Sequence, residues 1–146
     1  MADEPSNQLR VRLVTPERVL FDHTADAVEL PAKNGYLEVL YGHAPLMAEL
    51  GAGDVTVHGG PDGPEGLTRY SVSWGFVEVL PNRVTILASD ALKPEEIDVP
   101  RAEQQLDQGL KLWKEAGESV AAYDEALRVI NEAEAKIASA AEVEKH

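Results

Sequence analysis

The sequence predicts an α+β chain in two parts: an N-terminal antiparallel β-sandwich, or flattened barrel, over residues 1–90, and a C-terminal antiparallel αα-hairpin over residues 91–146. Three observations carry this. Up to about Asp90, apolar residues recur in short segments of period two, punctuated by glycine and proline. After "ALKPEEID" the apolar period lengthens to that of a helix. A chain of 146 residues can bury a core unaided, and with no cysteine it excludes disulfides and thiolate zinc sites.

The elements follow in order. "LRVRLVT" sets Leu9, Val11 and Leu13 against Arg10 and Arg12, the alternation of a half-buried strand. "RVLFD", "DAVELP", "GYLEVL", "DVTVHGG", "RYSVSW", "GFVEVL" and "RVTILAS" come next at short spacing. Turn chemistry separates them at Thr15-Pro16-Glu17, Pro31 to Gly35, Gly59 to Pro64 and Pro81-Asn82. Strand signals resume at Arg69, so the Gly/Pro-rich stretch near Pro61 reads as a long hairpin loop and not as a domain boundary. Farther on, Asp98 is a good N-cap, and Pro100 falls in the first turn, where its missing N–H costs nothing. Ala102, Leu106, Leu110 and Trp113 line one helical face, and Gly117 stops the helix. A second pattern of Val120, Tyr123, Leu127, Ile130 and Ile137 runs among alanines, so its stripe is narrow. Such a hairpin is marginal alone and needs a surface, the sandwich or another protein, with Trp113 the expected contact.

Composition narrows the function. With 13 Lys and Arg against 26 Asp and Glu, the net charge of -13 repels nucleic acid and anionic lipid. No apolar run approaches the roughly 20 residues that cross a bilayer, and Met1 to Gln8 match neither a signal nor a transit peptide. Membrane association is therefore expected only through a partner. The sequence holds no Walker sequence, G-x-G-x-x-G, H-E-x-x-H or G-x-S-x-G. The "GAGDVT" glycines lead into a strand, whereas a phosphate cradle leads into a helix. The histidines His23, His43, His58 and His146 form no i, i+4 pair and have no consistent carboxylate companion at ligand spacing, and the neighbours of His43 supply no nucleophile, so neither a metal site nor a catalytic residue is expected. Glu95 and Glu96 precede a helix and serve its dipole. Trp74 and Trp113 read as core or docking aromatics.

The segments "GYLEVLYGHAPLMAELGAGDVTV", "YSVSWGFVEVLPNRVTILASDA" and "IDVPRA" resemble, in this order, the epsilon subunit of F-type ATP synthases. The resemblance runs from Leu9 to about Ile137. It departs at Tyr41, where the family usually has proline, at Ser73-Trp74-Gly75, where a glycine pair is common, and at Tyr36, where glutamate is frequent. It implies a non-catalytic subunit of the proton-translocating complex, at the cytoplasmic face of the bacterial inner membrane. There the chain would stand in the central stalk between the gamma subunit and the c ring. Asn34, Gly35, Tyr36 and the turn Gly42, His43, Ala44 and Pro45 would then meet the ring. The hairpin would be mobile, extending at times into the alpha/beta hexamer to inhibit ATP hydrolysis. Some members bind ATP through I-D-x-x-R-A, matched here by Ile97, Asp98, Arg101 and Ala102. The further arginine is replaced by Gln108, so any ATP binding is expected to be weak and no cofactor is required. An ATP-binding regulatory sensor is the alternative function. From Ser119 onward, Arg128, Lys136 and Lys145 face twice as many acids, so inhibition is expected to be mild or conditional.

Overall fold

A computed structural model describes residues 8–61 and 66–144, the side chains of Val143 and Glu144 excepted. Met1 to Asn7, the part of the long loop from Asp62 to Glu65, Lys145 and His146 lie outside the described residues. The chain divides into two compact units, Met1–Ala91 and Leu92–His146.

The first unit holds seven strands: β1 (Leu9–Val14), β2 (Val19–Ala25), β3 (Ala27–Ala32), β4 (Gly35–Leu40), β5 (Leu46–His58), β6 (Leu67–Leu80) and β7 (Arg83–Leu92). They form one hydrogen-bonded sheet in the order β2-β1-β7-β6-β5-β3-β4. Neighbours pair antiparallel in β1–β2, β3–β4, β3–β5 and β5–β6, while β1 and β7 run parallel. At the usual strand spacing a flat sheet of this order would hold its edges about 29 Å apart. Yet Phe21 on one edge strand and Val39 on the other belong to the same buried cluster. The sheet therefore folds onto itself as the two layers of a sandwich. The predicted alternation supplies the filling: Leu9, Val11 and Leu13 are buried, and Arg10 and Arg12 are exposed.

Two strands, β5 and β6, exceed their sequence signals most. β5 begins at Leu46, well before the expected Asp54, because β6 pairs with it in constant register from Leu46↔Val79 to His58↔Leu67. β6 joins the segments read as "RYSVSW" and "GFVEVL" into one strand. At the join Trp74 has φ +56° and Gly75 φ +139°. A Cβ on Gly75 would run into the carbonyl of Leu87 on β7, so only glycine fits there.

The second unit opens with a 3-10 turn, Pro94–Glu96, whose Glu96 carboxylate accepts from Lys93 N at 2.9 Å. Glu96 thus caps that turn and does not act at a longer helix. α1 (Val99–Glu115) follows, with Asp98 as N-cap accepting from Arg101 N at 3.2 Å and Pro100 in the first turn. α2 (Val120–Glu144) starts where Ser119 Oγ accepts from Ala122 N at 3.2 Å. Gly117, at φ +60°, makes the reversal between them.

The face that α1 buries differs from the expected one. Ala102, Gly109 and Ala116 are buried, whereas Leu110 and Trp113 are exposed, Trp113 by 45 %. On α2 the buried set includes Ala126, Ala133 and Ala140, while Val120 and Tyr123 are exposed. Both sets recur every seventh residue, the spacing of a coiled-coil seam. The helices touch through small residues: a Cβ on Gly109 would lie 2.7 Å from Ile130 Cγ1 and 3.2 Å from Ile130 N. Such an approach leaves the larger Leu110 and Trp113 outside.

Candidate functional site

The residues expected to meet a ring fall into two groups, and the structure does not bring them together. Lys33 and Asn34 form the turn of the β3–β4 hairpin, and Gly35 follows at φ +132° with open space around it. Tyr36, 64 % exposed, begins the outward row of edge strand β4. Gly42 to Pro45 lie past the other end of β4, whose ends are roughly 17 Å apart by strand rise. Gly42, at φ +92°, donates to Pro81 O at 2.6 Å, and His43 N donates to Leu40 O at 3.1 Å. This turn is therefore tied to the β6–β7 turn at Pro81 and Asn82. His43 Nδ1 donates to Ala44 O at 2.7 Å, which assigns the proton to Nδ1. His43 thus braces its own turn through this bond.

The I-D-x-x-R-A residues sit at the start of α1. Ile97 is buried, Asp98 is occupied as the N-cap, Arg101 is exposed and Ala102 lies in the helix seam. Two of the four thus serve the hairpin itself. Among the described residues no three His, Cys, Asp or Glu side chains are grouped to hold a metal.

One surface escaped the sequence reading. On the outward side of the sheet, Val14 pairs with Val19 of β2 and with Leu87 of β7. Counting out from the two-residue turn Pro81-Asn82 puts Phe76 of β6 opposite Leu87, and Met47 of β5 lies one diagonal step beyond Phe76. Leu87, Phe76 and Met47 are 51 %, 55 % and 66 % exposed. An apolar band therefore crosses five strands on the outside of an acidic protein, an arrangement typical of protein contact surfaces. Its signal was present in the sequence, since Val14, Phe76 and Leu87 take outward places in alternating strands where polar residues are usual.

Charges flank the band. Asp22 accepts from Arg10 Nε at 2.9 Å and lies 3.7 Å from Arg12 Nε. The hydrogen bond from Arg10, helped by both guanidinium charges, holds the Asp22 carboxyl below its ordinary value. Arg83 lies across from Arg10. On the same outward side Glu78 stands opposite Met47, and Glu49 stands opposite Phe76. The band is thus basic toward β1 and acidic toward β5. No helix among the described residues is long and apolar enough to cross a membrane.

Comparison with known proteins places the chain. Residues 8–94 match the family model for the ATP synthase, Delta/Epsilon chain, beta-sandwich domain. The ATP synthase epsilon chain of Solibacter usitatus is 41 % identical over 135 residues, covering 90 % of this chain and 95 % of that one. The epsilon chain of Koribacter versatilis is 46 % identical over 93 residues, or 63 % of this chain and 62 % of its own length. In fold the chain is similar to one in the Euglena gracilis mitochondrial ATP synthase, OSCP/F1/c-ring (TM-score 0.71, 21 % identity, 95 % of this chain and 82 % of that one). It is also similar to one in the central stalk/c-ring structure of Tetrahymena thermophila (TM-score 0.64, 16 % identity, 90 % and 96 %). A sandwich that matches the family model along its whole length, followed by a two-helix unit, leads to one assignment: the chain belongs to the epsilon-chain family of F-type ATP synthases, a family of non-catalytic subunits.

Proposed function

We propose that this chain is a rotor subunit of the central stalk, joining gamma to the c ring of a proton-translocating ATP synthase. It would lie peripherally at the cytoplasmic face of a bacterial inner membrane and reach that membrane through the complex alone. The observation that carries this reading is the apolar band from Val19 to Met47, left uncovered on a chain of net charge -13. A sandwich with a close-packed core suits the transmission of torque, since such interiors deform little. The β3–β4 turn is the candidate ring contact, and the band is the candidate seat for gamma.

The test is copurification of the full chain with gamma and with isolated c rings. Leu87→Asp changes an exposed side chain, so the fold should survive while gamma capture weakens by about tenfold or more, the scale of a central apolar contact. Failure of the parent chain to bind gamma would reject the reading.

The hairpin acts as a conditional brake that reaches the alpha/beta hexamer when extended. Its acidic α2 argues for mild inhibition. Hydrolysis by the reconstituted complex should rise only modestly when residues after Asp90 are removed; a rise of orders of magnitude would show a strong brake. Free sensing of ATP is the weaker reading, because Asp98 and Ala102 already serve the helix. Saturable nucleotide binding abolished by Arg101→Ala would restore it.

A further inference from the structure

The ladder between β3 and β5 is broken. Pairing holds from Ala27↔His58 to Glu29↔Thr56 and resumes at Ala32↔Leu50. Between these points Leu30 and Pro31 of β3 face a stretch of β5 that runs from Gly51 to Val55. Pro31 has no N–H to give, and the bulging strand carries backbone groups away from register. In that gap Asp54 N donates to the Tyr36 hydroxyl at 2.9 Å.

Tyr36 belongs to β4, where it pairs with Pro31, so its side chain crosses β3 to reach β5. The path is open because residue 53 is glycine. A Cβ there would strike the Tyr36 hydroxyl and lie 3.2 Å from its Cζ and 2.9 Å from Pro31 Cβ. The ring thus takes the space of a missing side chain and keeps its other face in solvent. It spans three strands one residue from the Gly35 turn, where no neighbouring atoms would restrain a side chain.

We propose that Tyr36 is a positioning residue: its hydroxyl accepts from Asp54 N across the break in the β3–β5 ladder, and so ties β4 to β5 and fixes the pose of the Asn34–Gly35 turn presented to the ring. This rests on the stalk reading above. Tyr36→Phe keeps the ring and removes only the acceptor. Gly53→Ala, at a buried glycine, leaves Tyr36 chemically intact and pushes its ring out of the space it fills.

Two measurements on the full chain decide the matter: amide exchange at Asp54 and affinity for isolated c rings in detergent. Both variants should speed exchange at Asp54 and weaken ring binding by about fivefold, the scale of one neutral hydrogen bond. The double variant should be no worse than either single one. Faster exchange with unchanged ring binding would reduce Tyr36 to a structural brace. Weakened binding in Tyr36→Phe but not in Gly53→Ala would mean that the hydroxyl touches the ring directly. A parent chain that binds gamma but no ring would overturn the ring contact, and this role with it.

Discussion

Trp74 is the residue at which local preference and fold disagree most. At φ +56° it occupies a region that costs an ordinary L-residue about 1–2 kcal/mol and a glycine little. Replacing it by alanine or by glycine removes the same indole, yet only alanine keeps the strain. Trp74→Gly is therefore expected to be more stable than Trp74→Ala by about 1 kcal/mol in urea melts; equal stability would mean that the backbone relaxes. Asp22 offers a second measurement. Its folded value is depressed, so the stabilisation it brings is present above the unfolded value of about 3.9 and lost as pH falls through the folded one. A carboxyl NMR titration should find Asp22 below the usual carboxylate range, and Arg10→Ala should move it back up. Because the pair is exposed, the global acid midpoint should hardly shift.

At the scale of elements, the seam of the hairpin depends on residues of almost no volume. Gly109 costs α1 propensity, about 1 kcal/mol against alanine, and in exchange lets α2 approach. Gly109→Leu should improve the isolated helix yet destabilise the pair by about 1–3 kcal/mol through overpacking, seen as an earlier loss of helical ellipticity on heating. This seam also shows what a sequence conceals. The N-cap Asp98, the stop at Gly117 and most strands were legible, because each depends on its own few residues. The sequence points to a stripe through Leu110 and Trp113 because apolar size is the usual sign of burial, whereas a close helix crossing selects for smallness. β5 was shortened in the same way, since Leu46 to Gly53 become strand only through the partner that β6 supplies.

For the whole molecule, every residue of the main apolar cluster lies within the first unit. Residues 1–91 alone are expected to melt cooperatively with a strand-type circular dichroism spectrum. Residues 92–146 alone should show a broad transition at lower temperature, as short alanine-rich helices do. A cooperative melt of the second fragment would show that it is a self-sufficient domain. The architecture was legible from periods and turns, but the candidate surfaces were less so. Asn34 and His43 are near in sequence, yet a strand divides them, and the band from Val19 to Met47 gathers residues from five strands that only the topology makes neighbours.

The side-by-side course of β1 and β7 has a mechanical corollary. Paired in parallel from Arg10↔Arg83 to Val14↔Leu87, they are the first and last strands of their unit, and the hairpin continues from the end of β7. A tug applied along β7 would draw it lengthwise past β1, so that the bonds between them resist together and do not unzip one by one. A sheet joined in that manner resists fraying at the strand from which the second unit continues.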